Sequence, residues 1–143
     1  MRMSTRGRYG ARAMLDIAAN YEKGPVSLKD MARRQDISLK YLEQLIPPLK
    51  AAGLIRSIRG AGGGYTLVKE PHEINLLQII QALERLSPVD CLDTPGVCPR
   101  VKKCATYEVW KELLEATNNI LQSITLADMV ERQRKLEEGI KGN

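Results

Sequence analysis

The run Arg59-Gly60-Ala61-Gly62-Gly63-Gly64-Tyr65 constrains this chain more than any other segment. Four glycines in five residues disfavour a helix or strand interior, because glycine loses more backbone freedom than any other residue when fixed. On either side lie alternating runs, Leu54-Ile55-Arg56-Ser57-Ile58-Arg59 and Tyr65-Thr66-Leu67-Val68. Two such runs around a glycine turn predict a β-hairpin with a long, flexible tip. Glycine loops that cradle phosphates lead into a helix and often carry Lys-Ser/Thr. This one leads into a strand, which argues against a nucleotide site.

Three helices are predicted before the hairpin. The first runs from about Thr5 to Tyr21, despite Gly7 and Gly10, with Tyr9, Met14, Ile17, Ala18 and Tyr21 near helical spacing. Gly24-Pro25 stops it. Ser27-Leu28-Lys29-Asp30 has the form of a capping box and opens a short second helix that turns Leu28, Met31 and Ala32 to the core. After a turn at residues 35–37, Ser38 caps a third helix. Its Leu42, Leu45, Ile46 and Leu49 fall at i, i+3, i+4 and i+7. Pro47 lacks the N–H that would bond the Glu43 carbonyl, so a kink or tightening is expected there. Two short helices around a tight turn, followed by a hairpin, make a winged helix-turn-helix. The fold class is therefore mainly α with a small β-hairpin wing.

Behind the wing, a helix from residue 74 or 75 to about Leu86 places Leu76, Ile79, Ile80 and Leu83 on one face. Residues 87–103 are expected to be irregular, broken by Pro88, Pro95, Gly96 and Pro99. A long helix over 105–123 carries a broad apolar stripe of Val109, Trp110, Leu113, Leu114, Thr117, Ile120 and Leu121, continued by Ile124. Part of that stripe must pack on its own chain. A second part suits the same helix of another subunit, giving a two-fold dimer. Thr125 and Asp128 form another capping box for a final helix, with a frayed tail expected after Glu138. The expected division is a DNA-binding unit over 1–72 and a cysteine-loop and dimerisation unit over 73–143, packed as one continuous body.

Charge supports that division. Residues 1–70 hold 13 Lys/Arg against 6 Asp/Glu, and residues 71–143 hold 9 against 11. A basic front half points to a polyanion, and double-stranded DNA matches the helix-turn-helix. No apolar run approaches the ~20 residues of a membrane span, and the basic N-terminus lacks a secretory signal's apolar stretch. A cytoplasmic location is expected. Nothing supplies a catalytic acid, base or small-molecule substrate pocket, so an enzyme is not expected.

On this reading Arg6, Arg8 and Lys29 contact phosphates and set register. Ser38, Lys40, Tyr41, Glu43 and Gln44 stand at the start of the recognition helix. Gln44 suits the N6/N7 edge of adenine, and Glu43 can accept from a cytosine amino group. Arg59 and Gly60 at the wing tip suit the minor groove.

The three cysteines, Cys91, Cys98 and Cys104, lie within 14 residues. Their spacing is neither that of a zinc finger nor that of a bacterial ferredoxin. An odd count in a chain expected to stay in a reducing compartment points away from a disulfide framework. Three readings stay open from spacing alone: a metal or cluster site, a thiol redox switch, and inert cysteines. Arg100, Lys102 and Lys103 would offset the negative charge of thiolates. Cys104 at a helix start gains from free N–H groups that favour the thiolate.

The whole pattern resembles the Rrf-type family of winged-helix repressors and activators, in particular its iron–sulfur cluster regulators. The resemblance spans nearly the entire chain. It rests on Arg6-Gly7-Arg8-Tyr9 with Ala13-Met14-Leu15-Asp16, on Ser38-Leu39-Lys40-Tyr41-Leu42-Glu43-Gln44-Leu45, on Arg59 through Tyr65, on the three cysteines and on Ile124-Thr125-Leu126. It implies a homodimer that reads a palindromic promoter site, and a cluster on Cys91, Cys98 and Cys104 that alters which sites are bound. A 2Fe–2S cluster is favoured over 4Fe–4S, and control of iron–sulfur assembly genes is the implied role. The alternative is a thiol-based redox or nitric oxide-sensing repressor of the same fold. Cluster-binding members use a histidine three residues after the third cysteine, and that position is Tyr107 here. Other members recruit an acidic residue near the partner's N-terminus, where this chain has Arg8. Glu108 and Tyr107 are the candidate fourth ligands, followed by Asp90 and Asp93. The sole histidine, His72, reads as a surface residue.

Overall fold

The structure is a computed structural model and describes residues 1–141. Its order is α1 (Thr5–Ala19), α2 (Leu28–Gln35), α3 (Leu39–Ala51), β1 (Ile55–Ile58), β2 (Gly64–Leu67), α4 (Leu76–Leu83), a one-turn α5 (Asp90–Asp93), α6 (Ala105–Gln122) and α7 (Leu126–Lys141). Single 3₁₀ turns sit at Pro71–Glu73 and Val101–Lys103. The strands pair antiparallel, with Ile55 opposite Leu67 and Ile58 opposite Gly64. Mostly helical, with a two-stranded wing, the chain has the expected fold class.

Short polar caps start the helices. Ser4, Ser27 and Ser38 each accept a hydrogen bond from the backbone N–H three residues on, satisfying a donor that the helix start leaves free. The box expected at Ser27 is only half formed, because the Asp30 carboxylate pairs with Arg33 at 3.1 Å instead of folding back. The boxes at Asn75/Gln78 and Thr125/Asp128 are both reciprocal. Helix α3 continues through Pro47 and Pro48 to Ala51.

One apolar core joins both halves of the chain. Met14, Ile17, Met31, Leu42, Leu45 and Leu49 share it with Ile74, Ile79, Leu83 and Leu126. The glycines of α1 belong to this packing. A Cβ on Gly10 would lie 2.0 Å from the Leu83 Cδ1, so the missing side chain lets α1 and α4 approach closely.

Several boundaries differ from expectation. Helix α1 stops at Ala19 with Asn20 as its C-cap, so Tyr21 lies beyond it. Helix α4 ends at Leu83 rather than near Leu86. Glu84 turns to extended backbone, and its carboxylate accepts the Ser4 N–H at 3.0 Å, tying the end of α4 to the start of α1. The segment 87–103 is not wholly irregular, since it holds α5 and a 3₁₀ turn. Helix α7 continues past Glu138 to Lys141, and the rest of the expected frayed tail, residues 142–143, lies outside the described residues. No residue of α6 is buried; Val109, Trp110, Leu113 and Ile120 are all substantially exposed.

Candidate DNA interface and cysteine segment

The open face of α3 is formed by Lys40, Glu43, Gln44, Pro47 and Lys50, all exposed, while Leu42, Leu45, Ile46 and Leu49 face inward. Ser38 is exposed, and its hydroxyl is engaged as the helix cap at 3.1 Å from the Tyr41 nitrogen. Tyr41 is half-buried. Its ring meets Tyr9 of α1 edge-on, with centroids 5.6 Å apart and planes at 85°. The arginines of α1 cover Tyr9 in turn, Arg8 at 5.6 Å and Arg12 at 5.2 Å from its centroid. Tyr41 is thus a packing residue as well as a candidate contact.

Arg6, Arg8 and Lys29 are exposed at the starts of α1 and α2. Arg59 and Gly60 are exposed at the wing tip, where Gly60 and Gly62 take φ of 101° and 75°. Positive φ is strained for residues with a Cβ, so this tip needs its glycines. The wing is anchored at its base by Val26, which exchanges backbone hydrogen bonds of 2.9 and 2.8 Å with Tyr65. The Lys50 ammonium donates to the Ser57 hydroxyl at 3.0 Å, joining α3 to β1.

Sequence reasoning passed over three groups here. Arg56 is exposed on β1 and adds charge to the wing. Its place in an alternating strand was the available signal. Arg12 and Arg34 look like ordinary solvated charges, yet both bind across the α1–α2 contact. The Arg34 guanidinium donates through Nε and Nη2 to the two oxygens of Asp16 at 2.9 and 2.8 Å. Asp16 is only 4% exposed, and its bond to Arg34 holds that guanidinium more firmly charged than usual. Gln35 also donates to Asp16 at 3.0 Å, and Arg12 donates to the Gln35 carbonyl.

The three cysteines are unpaired and half-buried. Cys91 is in α5, Cys98 in the following loop, and Cys104 is the N-cap residue of α6. The Thr106 hydroxyl, 3.1 Å away, is the main influence holding the Cys104 thiol below its ordinary pKa. The Tyr107 backbone N–H and, more weakly, the Arg100 charge act in the same direction. Among the described residues, no three His, Cys, Asp or Glu side chains converge as a metal-binding group. The donor chemistry nevertheless suits an iron–sulfur group: three free thiols, one favoured as thiolate, with exposed Arg100, Lys102 and Lys103 nearby. Holding one would require the segment to draw together.

Tyr107 is half-buried and Glu108 exposed, in the first turn of α6. Asp90 and Asp93 are exposed at the two ends of α5. His72 is exposed and lies 3.2 Å from Glu70. It takes no part in the cysteine segment, as expected. No helix among the described residues is long and apolar enough to cross a membrane.

A helix-turn-helix with a basic open face and a hairpin wing defines the winged-helix class of transcription regulators. Residues 3–132 match the Rrf2 family, described as iron-dependent transcriptional regulators, and the chain belongs to that family. It is 41% identical over 137 residues to the HTH-type transcriptional regulator IscR of Cronobacter sakazakii, covering 96% of this chain and 85% of that protein. Among solved structures, T. potens IscR superposes with a TM-score of 0.78 at 42% identity, covering 93% of this chain and 88% of that one. CymR, the global cysteine regulator of B. subtilis, gives 0.72 at 38% identity, covering 92% and 98%.

Proposed function

We propose that this regulator is an iron–sulfur protein that binds a palindromic promoter site as a homodimer. The observation that carries the cluster reading is the segment 91–104: three unpaired thiols from α5 to the start of α6, the last at a helix N-terminus that favours its thiolate. Cys91, Cys98 and Cys104 would hold the cluster, 2Fe–2S in preference to 4Fe–4S. Glu108 or Tyr107 would complete it from the first turn of α6. When bound, the cluster would supply iron- and oxygen-responsive chemistry at this segment.

The chain's own residues do the rest. Lys40, Glu43 and Gln44 meet base edges from the open face of α3, with Ser38 and Tyr41 at the helix start. Arg6, Arg8 and Lys29 neutralise phosphates, and Arg59 with Gly60 enters the minor groove. Residues 1–72 read DNA, while 73–143 sense and dimerise. The exposed stripe of α6 pairs with its counterpart, placing two recognition helices one helical turn of DNA apart. The setting is the cytoplasm, the targets are iron–sulfur assembly genes by analogy with IscR, and no enzymatic role is proposed.

Anaerobic purification tests the cluster. A coloured protein with iron and sulfide near stoichiometry, lost on replacing any one cysteine, is the expected result. A colourless protein that takes up no iron on reconstitution overturns it. The lowered pKa of Cys104, with the likeness to CymR, makes a thiol sensor the second reading. That reading predicts reversible loss of DNA binding on mild oxidation of iron-free protein.

A further inference from the structure

Tyr9, Arg12 and Asp16 fall at i, i+3 and i+7 of α1, and therefore share one stripe of the helix. Each holds a residue that flanks the turn between α2 and α3. Tyr9 packs edge-on against Tyr41 in the first turn of α3. Arg12 donates to the carbonyl of Gln35, the last residue of α2. Asp16 receives Arg34 through both oxygens and Gln35 through one. Immediately beyond, Asp36 takes left-handed backbone at φ 52° and leads in two residues to the Ser38 cap of α3.

The link between the helices is short and conformationally restricted, so the setting of the last turn of α2 passes directly to the first turn of α3. The apolar contacts of Met31, Leu42 and Leu45 hold these helices together, but apolar contact is non-directional. A two-pronged guanidinium–carboxylate bond is directional and fixes rotation as well as distance. Asp16 is also nearly sealed from solvent, and a buried carboxylate needs such partners.

We infer that Asp16, acting through Arg34, is the positioning residue that sets how α3 is presented to DNA, and that it governs sequence discrimination without touching the duplex. This rests on the docking of α3 proposed above. The rival role for Arg34, whose side chain is 37% exposed, is a direct phosphate contact.

The parent protein is used to recover a preferred duplex from a randomised pool. Binding to that duplex and to a scrambled one is then measured across salt, with thermal melts, for Asp16→Asn, Arg34→Gln, Arg34→Lys and the Asp16→Asn/Arg34→Gln pair. Asp16→Asn and Arg34→Gln should each lose about tenfold or more on the preferred duplex, while binding to the scrambled duplex stays within about twofold. The double variant should be no worse than the weaker single, as for partners in one interaction. Arg34→Lys keeps the charge but lacks the fork, and should fall between parent and Arg34→Gln. It also carries the test if Asp16→Asn fails to fold, because Asp16 retains a cationic partner.

Parent-like discrimination in the folded variants overturns the inference. So does an equal loss on both duplexes with a salt slope reduced by about one, which marks Arg34 as a phosphate contact. So does a loss that merely tracks the melted fraction. A parent protein that recovers no duplex overturns the docking itself, whereas a selective parent with unaffected variants overturns only the role of Asp16.

Discussion

Gly64 passes so close to Val26 that a Cβ on the glycine would stand 2.3 Å from the Val26 carbonyl oxygen. Its φ of 155° is also poorly suited to other residues. That approach lets Tyr65 pair with Val26 and fixes the wing to the segment before α2. Gly64→Ala should therefore lower stability by about 1–3 kcal/mol. Urea unfolding measures this, and an unchanged midpoint would show that the wing root can shift freely.

Glu84 supplies the second long-range tie. Removing its carboxylate leaves the Ser4 N–H without this partner, a loss of about 0.5–1.5 kcal/mol. Glu84→Gln keeps an acceptor oxygen and should lose less than Glu84→Ala. Hydrogen exchange of the α1 N-terminus is the local readout, and exchange should quicken there first.

The exposed stripe of α6 predicts association. Leu113→Glu with Ile120→Glu places two carboxylates in a surface that is otherwise apolar at those points. Sedimentation should show the parent as a dimer and the double variant as a monomer. The monomer should bind a two-half-site duplex far more weakly, since it forfeits simultaneous engagement.

Cys104 has a defined pH signature. Its folded-state pKa lies below the ordinary thiol value, so more of it is thiolate at neutral pH than for a free cysteine. In an iron-free Cys91→Ser/Cys98→Ser variant, alkylation should slow as pH falls through a midpoint below that of an ordinary thiol. Thr106→Val removes the largest influence and should move that midpoint upward. The linked stability is present at pH values above the unfolded thiol pKa and is lost as pH falls through the folded one. Parallel profiles for parent and variant would refute the role of Thr106.

The three helices before the wing and the hairpin itself were legible because their signals are local. Ser27 and Ser38 sit next to the helices they cap, and Leu42, Leu45, Ile46 and Leu49 declare one face. The Glu84–Ser4 bond joins residues 80 positions apart, and no neighbouring residue announces it. The same holds for the Val26–Tyr65 bridge and for Arg34 with Asp16, where two ordinary-looking charges pair and only the carboxylate is buried. Asp30 shows the limit of local patterns, since Arg33 competes successfully for the carboxylate that the box needs. The cysteines were identifiable as a chemical set, but their spacing did not say whether they meet, and among the described residues they do not converge as a metal-binding group.

Pro47 and Pro48 sit inside α3 without ending it, and neither has a backbone N–H. In a regular helix those two N–H groups would bond the carbonyl oxygens of Glu43 and Gln44. Both oxygens are therefore left without their usual partners, at two of the residues whose side chains form the open face. Each has lost its intrahelical donor to a proline four residues on, whatever side chain its own residue carries. Replacing those side chains alters one part of the helix's hydrogen-bonding capacity and leaves this backbone part in place.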